Sequence, residues 1–297
     1  MIMATVSCKA TSLKHDAFTL VELLVTMVII SIVTGLSLAG LASSRQRAKI
    51  DKTKSTIRKL HEIVMPQYES YLSRRVAATT PTARLAAIRL LMVQEMPDQW
   101  ADVYPSGSLT IPPDATAPTR RYATYKNALS PSPLYEGAEC LAMIITRGGF
   151  ADDAPELFRS DEMGDLDSDG APAFRDGWGR PIGFFRWAAG FSSIAQIQNA
   201  SVSPDPLDPF RVSTSITYPP GTTQTDYALV PLIYSSGPGG ATDDPLSPRS
   251  GYQIDTTLHW LQSAPISSTR LGSPVSGEIG DLSVAADNIT NHDLLSK

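Results

Sequence analysis

Residues 15–49 read HDAFTLVELLVTMVIISIVTGLSLAGLASSRQRAK, and Glu22 is out of keeping with its neighbours. From Ala17 to Ala42 it is the only charged residue. As a helix this run extends about 39 Å, enough to cross a hydrocarbon core of about 30 Å with some tilt. Leu20, Val21, Leu23, Leu24, Val25, Val28, Ile29, Ile30, Ile32 and Val33 leave no polar face, which excludes an ordinary surface helix. Gly35, Ser37, Ala39, Gly40 and Ala42 follow as a small-residue stretch, suited to close packing against another helix. A carboxylate inside such a segment is costly, less so near its end, where it reaches toward the interface.

Two plain readings account for the run. One is a signal peptide cut near Ser37-Leu38-Ala39, releasing an exported calcium- or substrate-binding protein. The other is a signal anchor, in which Glu22 has no purpose. The residues before Glu22 supply a third. The junction KHDA|FTLVE, from Lys14 to Glu22, resembles the leader junction of type IV pilins and type II secretion pseudopilins. The resemblance makes residues 1–17 a prepilin leader, Ala17 its last residue, Phe18 the new N-terminus and Glu22 the fifth mature residue. It implies cleavage and N-methylation by a prepilin peptidase. It also implies that Glu22 pairs with the N-terminal ammonium of a neighbouring subunit. Pairing two lone charges in lipid offsets much of the cost of each and selects one axial register. Retention of Glu22 implies a subunit within the filament and argues against the tip subunit of type II secretion. Two features depart from the family pattern: Ala17 replaces the usual glycine, and basic residues after the apolar run outnumber Lys9 and Lys14 before it, against simple charge counting.

On this resemblance the fold class is α+β: a long N-terminal helix, transmembrane then amphipathic, packed against a small antiparallel sheet, with loop-rich insertions. The expected organisation is leader 1–17, transmembrane and assembly helix 18–42, amphipathic continuation 43–75, globular head 76–260 and polar tail 261–297. The expected location is the bacterial inner membrane, single-pass, with the N-terminus cytoplasmic and the head periplasmic or extracytoplasmic, and the filament after assembly. Partners implied are the prepilin peptidase, other pilin or pseudopilin subunits, an inner-membrane assembly platform and membrane lipid.

The remainder of the chain fits this frame. Ile50, Ile57, Leu60, Val64, Tyr68, Tyr71 and Leu72 recur at helical spacing, and Pro66 should kink or end that helix. Residues 76–96 predict a further helix, and residues 134–149 a short buried helix with a glycine cap, Cys140 on its apolar side. All 23 prolines lie from Pro66 onward, so the C-terminal part is rich in loops. Strands are expected at 181–187, 210–218 and 227–235. Residues 43–75 carry nine Lys/Arg against Asp51, Glu62 and Glu69, whereas residues 76–297 carry 14 basic and 25 acidic residues. A basic stem fits anionic lipid or an acidic neighbour, and the acidic body argues against nucleic acid.

GDLDSDGAPAFRDGWGRPIGFFRW, residues 164–187, holds the other candidate chemistry. Asp165, Asp167, Asp169, Gly170 and Asp176 fall at positions 1, 3, 5, 6 and 12 of a D-x-D-x-D-G loop, a spacing that converges carboxylates on calcium. The alternative is a solvated acidic turn. The same stretch is similar to the D-x-W-G-x-P segment that opens the sheet of major pseudopilins, matched here by Trp178, Gly179 and Pro181. DYALVPLIYSSGPGGATDD, residues 226–244, looks like that family's later strand and glycine-rich loop, with Asp243 and Asp244 as weaker calcium candidates. No enzyme constellation emerges. His15, His61, His259 and His292 lie at no metal-ligand spacing, and no nucleophile elbow or phosphate loop is present. The reading is a structural, non-enzymatic filament subunit, its irregular loops leaning toward a minor one.

Overall fold

The computed structural model describes residues 19–103, 115–150, 154–188, 191–199, 201–212, 216–218, 222–224, 227–238 and 287–294. Long helix and small antiparallel sheets make the chain α+β. It divides into two units, Met1–Arg47 and Ala48–Lys297, with the division inside the first helix, α1 (Leu20–Ser73).

In the first unit the described residues are almost entirely helical, and their apolar side chains are bare: Leu20 is 80% exposed and Ile30 64%. A helix apolar on every side, its side chains bare along the described residues, is matched to a hydrocarbon solvent. Three of its hydroxyls are satisfied within the helix: Thr26, Ser31 and Ser37 donate to the carbonyls of Leu23, Met27 and Val33. Among the described residues α1 is the one helix long and apolar enough to cross a membrane.

In the second unit α1 becomes amphipathic. Thr53, Thr56, Ile57, Leu60, Ile63, Val64, Tyr68 and Tyr71 are buried, and Asp51, Ser55, Arg58, Glu62, Pro66 and Glu69 are exposed. The helix runs through Pro66, contrary to a local end there. Pro66 is on the exposed side, where water can satisfy the carbonyl it leaves free. The buried residues before and after it hold the helical path. Two further helices, α2 (Pro81–Glu95) and α3 (Ala117–Asn127), follow. Thr80 starts α2, its hydroxyl accepting from Ala83 N at 3.2 Å with Pro81 just behind it. The centre of the unit is α4 (Glu136–Arg147), with Ala138 through Ile145 buried on every side. Gly137 lets it approach the sheet closely, since a Cβ there would lie 2.8 Å from the Phe184 carbonyl oxygen.

A short 3-10 turn (Ala154–Leu157) leads to β1 (Met163–Asp165) and β2 (Pro172–Phe174), an antiparallel hairpin pairing Gly164 with Ala173. The next strand, β3 (Gly183–Phe185), is shorter than the expected 181–187. Among the described residues of 210–218, β4 (Ile216–Tyr218) is strand, paired with β5 (Thr222–Gln224). Residues 209–212 instead follow a turn held by Asp208, whose carbonyl accepts from Arg211 N and whose carboxylate accepts from Val212 N. The central sheet has the order β3, β6 (Leu232–Ser235), β7 (Ile289–Thr290), all antiparallel. Its third strand comes from near the C-terminus, and α5 (Asn291–Leu294) follows directly. Within 261–297, read above as a polar tail, Ile289–His292 are thus buried.

Candidate functional sites

The processing junction, Ala17 and Phe18, lies outside the described residues. Directly after it, Thr19 and Glu22 form a reciprocal cap. The Thr19 backbone N–H and hydroxyl both donate to Glu22 Oε2, at 2.9 and 2.8 Å, and Glu22 N–H donates to Thr19 Oγ1 at 3.2 Å. This is the capping-box arrangement, which satisfies otherwise orphaned donors at a helix start. It gives Glu22 a local task and explains how the carboxylate is tolerated there. Oε1 accepts no hydrogen bond among the described residues, so one oxygen stays open. Thr19 was not singled out from the sequence, although T-x-x-E before an apolar run is the signal that identifies it.

In the second unit the acidic stretch separates into two structures. Asp165 organises the β1–β2 turn: its carboxylate accepts from Ser168 N at 2.7 Å and Gly170 N at 2.9 Å. Gly170 adopts φ +90°, a region that its lack of a Cβ makes accessible. Burial pushes the Asp165 carboxyl upward, but donation from Gly170, Ser168, Asp167 and Asp169 outweighs it and holds the pKa below the ordinary value. Asp169 accepts from Ser132 N at 2.6 Å and Ala171 N at 2.8 Å. Asp167 and Asp169 then meet Glu139 of α4, their nearest oxygens all within 4.8 Å of one another. Glu139 is buried and accepts from Trp100 Nε1 at 2.7 Å. Both Asp167 oxygens are buried and accept no hydrogen bond of ordinary geometry among the described residues. Burial, followed by the charges of Asp169, Asp167 and Asp165 and opposed by Trp100, raises Glu139 to about 8. Burial also raises Asp167, with Ser132 opposing and Asp169 and Asp165 adding to the rise.

Asp176, the twelfth residue of the expected loop, turns away from this cluster. Its Oδ1 accepts from Trp178 N at 2.8 Å and Arg180 N at 2.9 Å, and its Oδ2 accepts from Ser235 Oγ at 2.8 Å. Arg180 Nε lies 3.5 Å from Oδ2. Asp176 is therefore occupied in shaping the D-G-W-G turn and tying it to β6. Gly177 N donates to Thr53 Oγ1 at 2.8 Å, and a Cβ on Gly177 would lie 2.3 Å from the Lys49 carbonyl oxygen. Asp243 and Asp244 lie outside the described residues. Glu139 was missed as a ligand candidate because it sits on a helix whose pattern announces core. Cys140 is fully buried, and burial pushes its thiol well up, as fits a core residue.

A family model, the prokaryotic N-terminal methylation motif, matches residues 13–38. The match spans the junction, Thr19, Glu22 and most of the apolar helix. The chain thus carries this motif, consistent with a type IV pilin-like or pseudopilin subunit. The motif implies processing by a prepilin peptidase and assembly with pilin-type subunits, and with the apolar helix it fits a membrane-anchored chain. No curated protein and no solved structure matches the chain.

Proposed function

We propose that this chain is a minor structural subunit of a type II secretion pseudopilus or a type IV pilus-like filament, cleaved between Ala17 and Phe18 and assembled through α1. The observation that carries this reading is the methylation motif over residues 13–38, set directly against a bare apolar helix. Glu22, with one oxygen engaged by Thr19 and the other open, supplies the acceptor for a neighbour's terminal ammonium. The subunit is mechanical rather than enzymatic, with the N-terminus cytoplasmic, the second unit periplasmic and an inner-membrane platform as its assembly partner. The deciding experiment is the mass and sequence of the mature N-terminus from membrane fractions. N-methylated Phe18 is the expected result. A start near Gly40 would mean signal-peptide removal and an exported soluble protein.

A second reading concerns the acidic cluster. Glu139, Asp167 and Asp169 are a hard-oxygen set suited to calcium. The observation favouring it is Asp167, whose buried oxygens lack hydrogen-bond partners of ordinary geometry among the described residues. Asp165 and Asp176 are outside this ligand set. Calcium titration of the full chain in detergent, with Glu139→Gln alongside, tests it. Thermal stabilisation at millimolar calcium that Glu139→Gln abolishes is the expected result. Equal responses of both proteins would remove the site.

A further inference from the structure

The C-terminal segment β7–α5 closes the central sheet and meets α1 through a polar contact. The partners are Asn291, fully buried, and His61 on α1, half-buried. Asn291 Oδ1 accepts from Ile233 N at 2.9 Å, and Nδ2 donates to the Pro231 carbonyl oxygen at 3.0 Å. These two bonds fix the amide, because a flip would set its oxygen against a carbonyl and its nitrogen against an N–H. Nδ2 has a second hydrogen, and His61 Nδ1 lies 3.2 Å away. An amide nitrogen can only donate, so His61 Nδ1 is the acceptor and the proton of the neutral ring is on Nε2.

His292, the next residue, is held differently. Its Nε2 donates to Pro231 O at 3.2 Å, and its Nδ1 is 2.8 Å from Ser193 Oγ. A hydroxyl donates or accepts, so Ser193 can turn to suit a second proton on His292. Asn291 has no such freedom. A proton added to His61 Nδ1 sets donor against donor, and the contact changes from attraction to repulsion. Burial disfavours that proton, while Glu62 and Glu69 on α1 attract it; burial wins, and the His61 pKa lies below its ordinary value. From α5, His292 adds a second base beside His61, and Asp293 attracts the proton of His292.

We propose that His61 and Asn291 form a pH-sensitive latch: with His61 neutral the β7–α5 segment is docked against α1 and β6, and protonation of His61 releases it while the rest of the second unit stays folded. The undocked state takes up the proton first, so docking is complete above about pH 6.5 and weakens as pH falls below it. His292, its pKa lowered to about 4, is still neutral in the first part of that range. Release bares the edge of β6 at Tyr234 and Ser235, which pair with Thr290 and Ile289 while β7 is in place. The latch is independent of both the filament reading and the calcium reading.

Hydrogen exchange of the full chain in detergent, at about pH 7 and about pH 5, tests the latch; protection factors remove the chemical pH dependence of exchange itself. The amides of Ile233 and residues 289–292 should lose roughly tenfold in protection at the lower pH, since one linked proton gives up to about tenfold per pH unit. Those of α4 should change little. In His61→Gln, whose side-chain oxygen still accepts from Asn291 but takes no proton, the loss should vanish; in His292→Gln it should remain. No loss in the wild-type protein, or an equal loss in α4, overturns the proposal, and both are read without any variant. A loss that survives His61→Gln, or that disappears in His292→Gln, overturns it as well.

Discussion

Glu22 has one task in the structure, and the proposed assembly gives it a second that can be separated from the first chemically. Its carboxylate accepts from Thr19 in the capping box, and the proposal has its charge pair with a neighbour's amine. Glutamine serves equally well in a capping box but carries no charge. Glu22→Gln should therefore keep helix initiation and membrane insertion while losing filament incorporation as completely as Glu22→Ala. Normal incorporation of Glu22→Gln would leave Glu22 as a cap and nothing more. Gly177 makes a different prediction at the same scale. A methyl group there meets the Lys49 backbone, which cannot swing aside as a side chain can. Gly177→Ala should destabilise the second unit by about 1–3 kcal/mol, seen as a lowered denaturation midpoint.

Among the elements, the junction from the end of α2 to β3 is held by a buried ionic group. Arg186 is 1% exposed. It donates to Met96 O and Asp102 at 2.9 Å each, lies 3.2 Å from Asp98, and sits 4.4 Å from the Trp187 ring centre. Removing one partner from such a group strands the others: Arg186→Met should cost about 3–5 kcal/mol in urea unfolding, well above the loss of a surface cation. The C-terminal β7–α5 segment is fixed by another polar set. Asn291 accepts from Ile233 N and donates to Pro231 O, while His292 contacts Ser193 Oγ and Pro231 O. Burial lowers the His292 pKa to about 4, with Pro231 and Asp293 opposing and nearby His61 lowering it further. The unfolded chain takes up that proton first, so stability is complete above about pH 6.5 and falls as pH drops toward 4. His292→Gln should flatten that acid limb in chemical denaturation; an unaltered limb would assign it to other groups.

These elements also show what the sequence made legible. The buried face of α1 and the whole of α4 follow from spacing and apolar density. The strands were read too long because Phe184, Phe185, Leu232 and Ile233 are buried alike, giving no alternation to mark an end. Residues 289–294, ITNHDL, read as a tail because their buried polar side chains gain acceptability only from partners distant in sequence. The acidic site was half legible for the same reason. Asp167 and Asp169 stood in a recognisable spacing, but Glu139 joins them only through the packing of α4 against the hairpin.

At the scale of the whole molecule, the methylation motif defines the first unit and the acidic cluster governs a property of the second. Glu139, with its pKa raised to about 8, ionises in the unfolded chain near the ordinary carboxylate value and much later in the folded one. Without a cation the protein should therefore lose stability as pH rises from about 4.5 toward 8. Bound calcium favours the ionised form, so millimolar calcium should abolish that decline in thermal melts of the full chain. A decline that persists unchanged with calcium would count against the cation reading.

Gly237 gives the second unit a further property. Its φ is +63°, and a Cβ there would lie 1.8 Å from the Asp287 carbonyl oxygen, so the chain's departure at the end of β6 and its return before β7 are in direct contact. Strand pairing and the buried Asn291 and His292 contacts begin beside this doorway. Gly237 thereby acts as a spacer gauge for the seam: any side chain there would push the start of β7 away from β6, and the pairing of Ser235 with Ile289 would be the first to open.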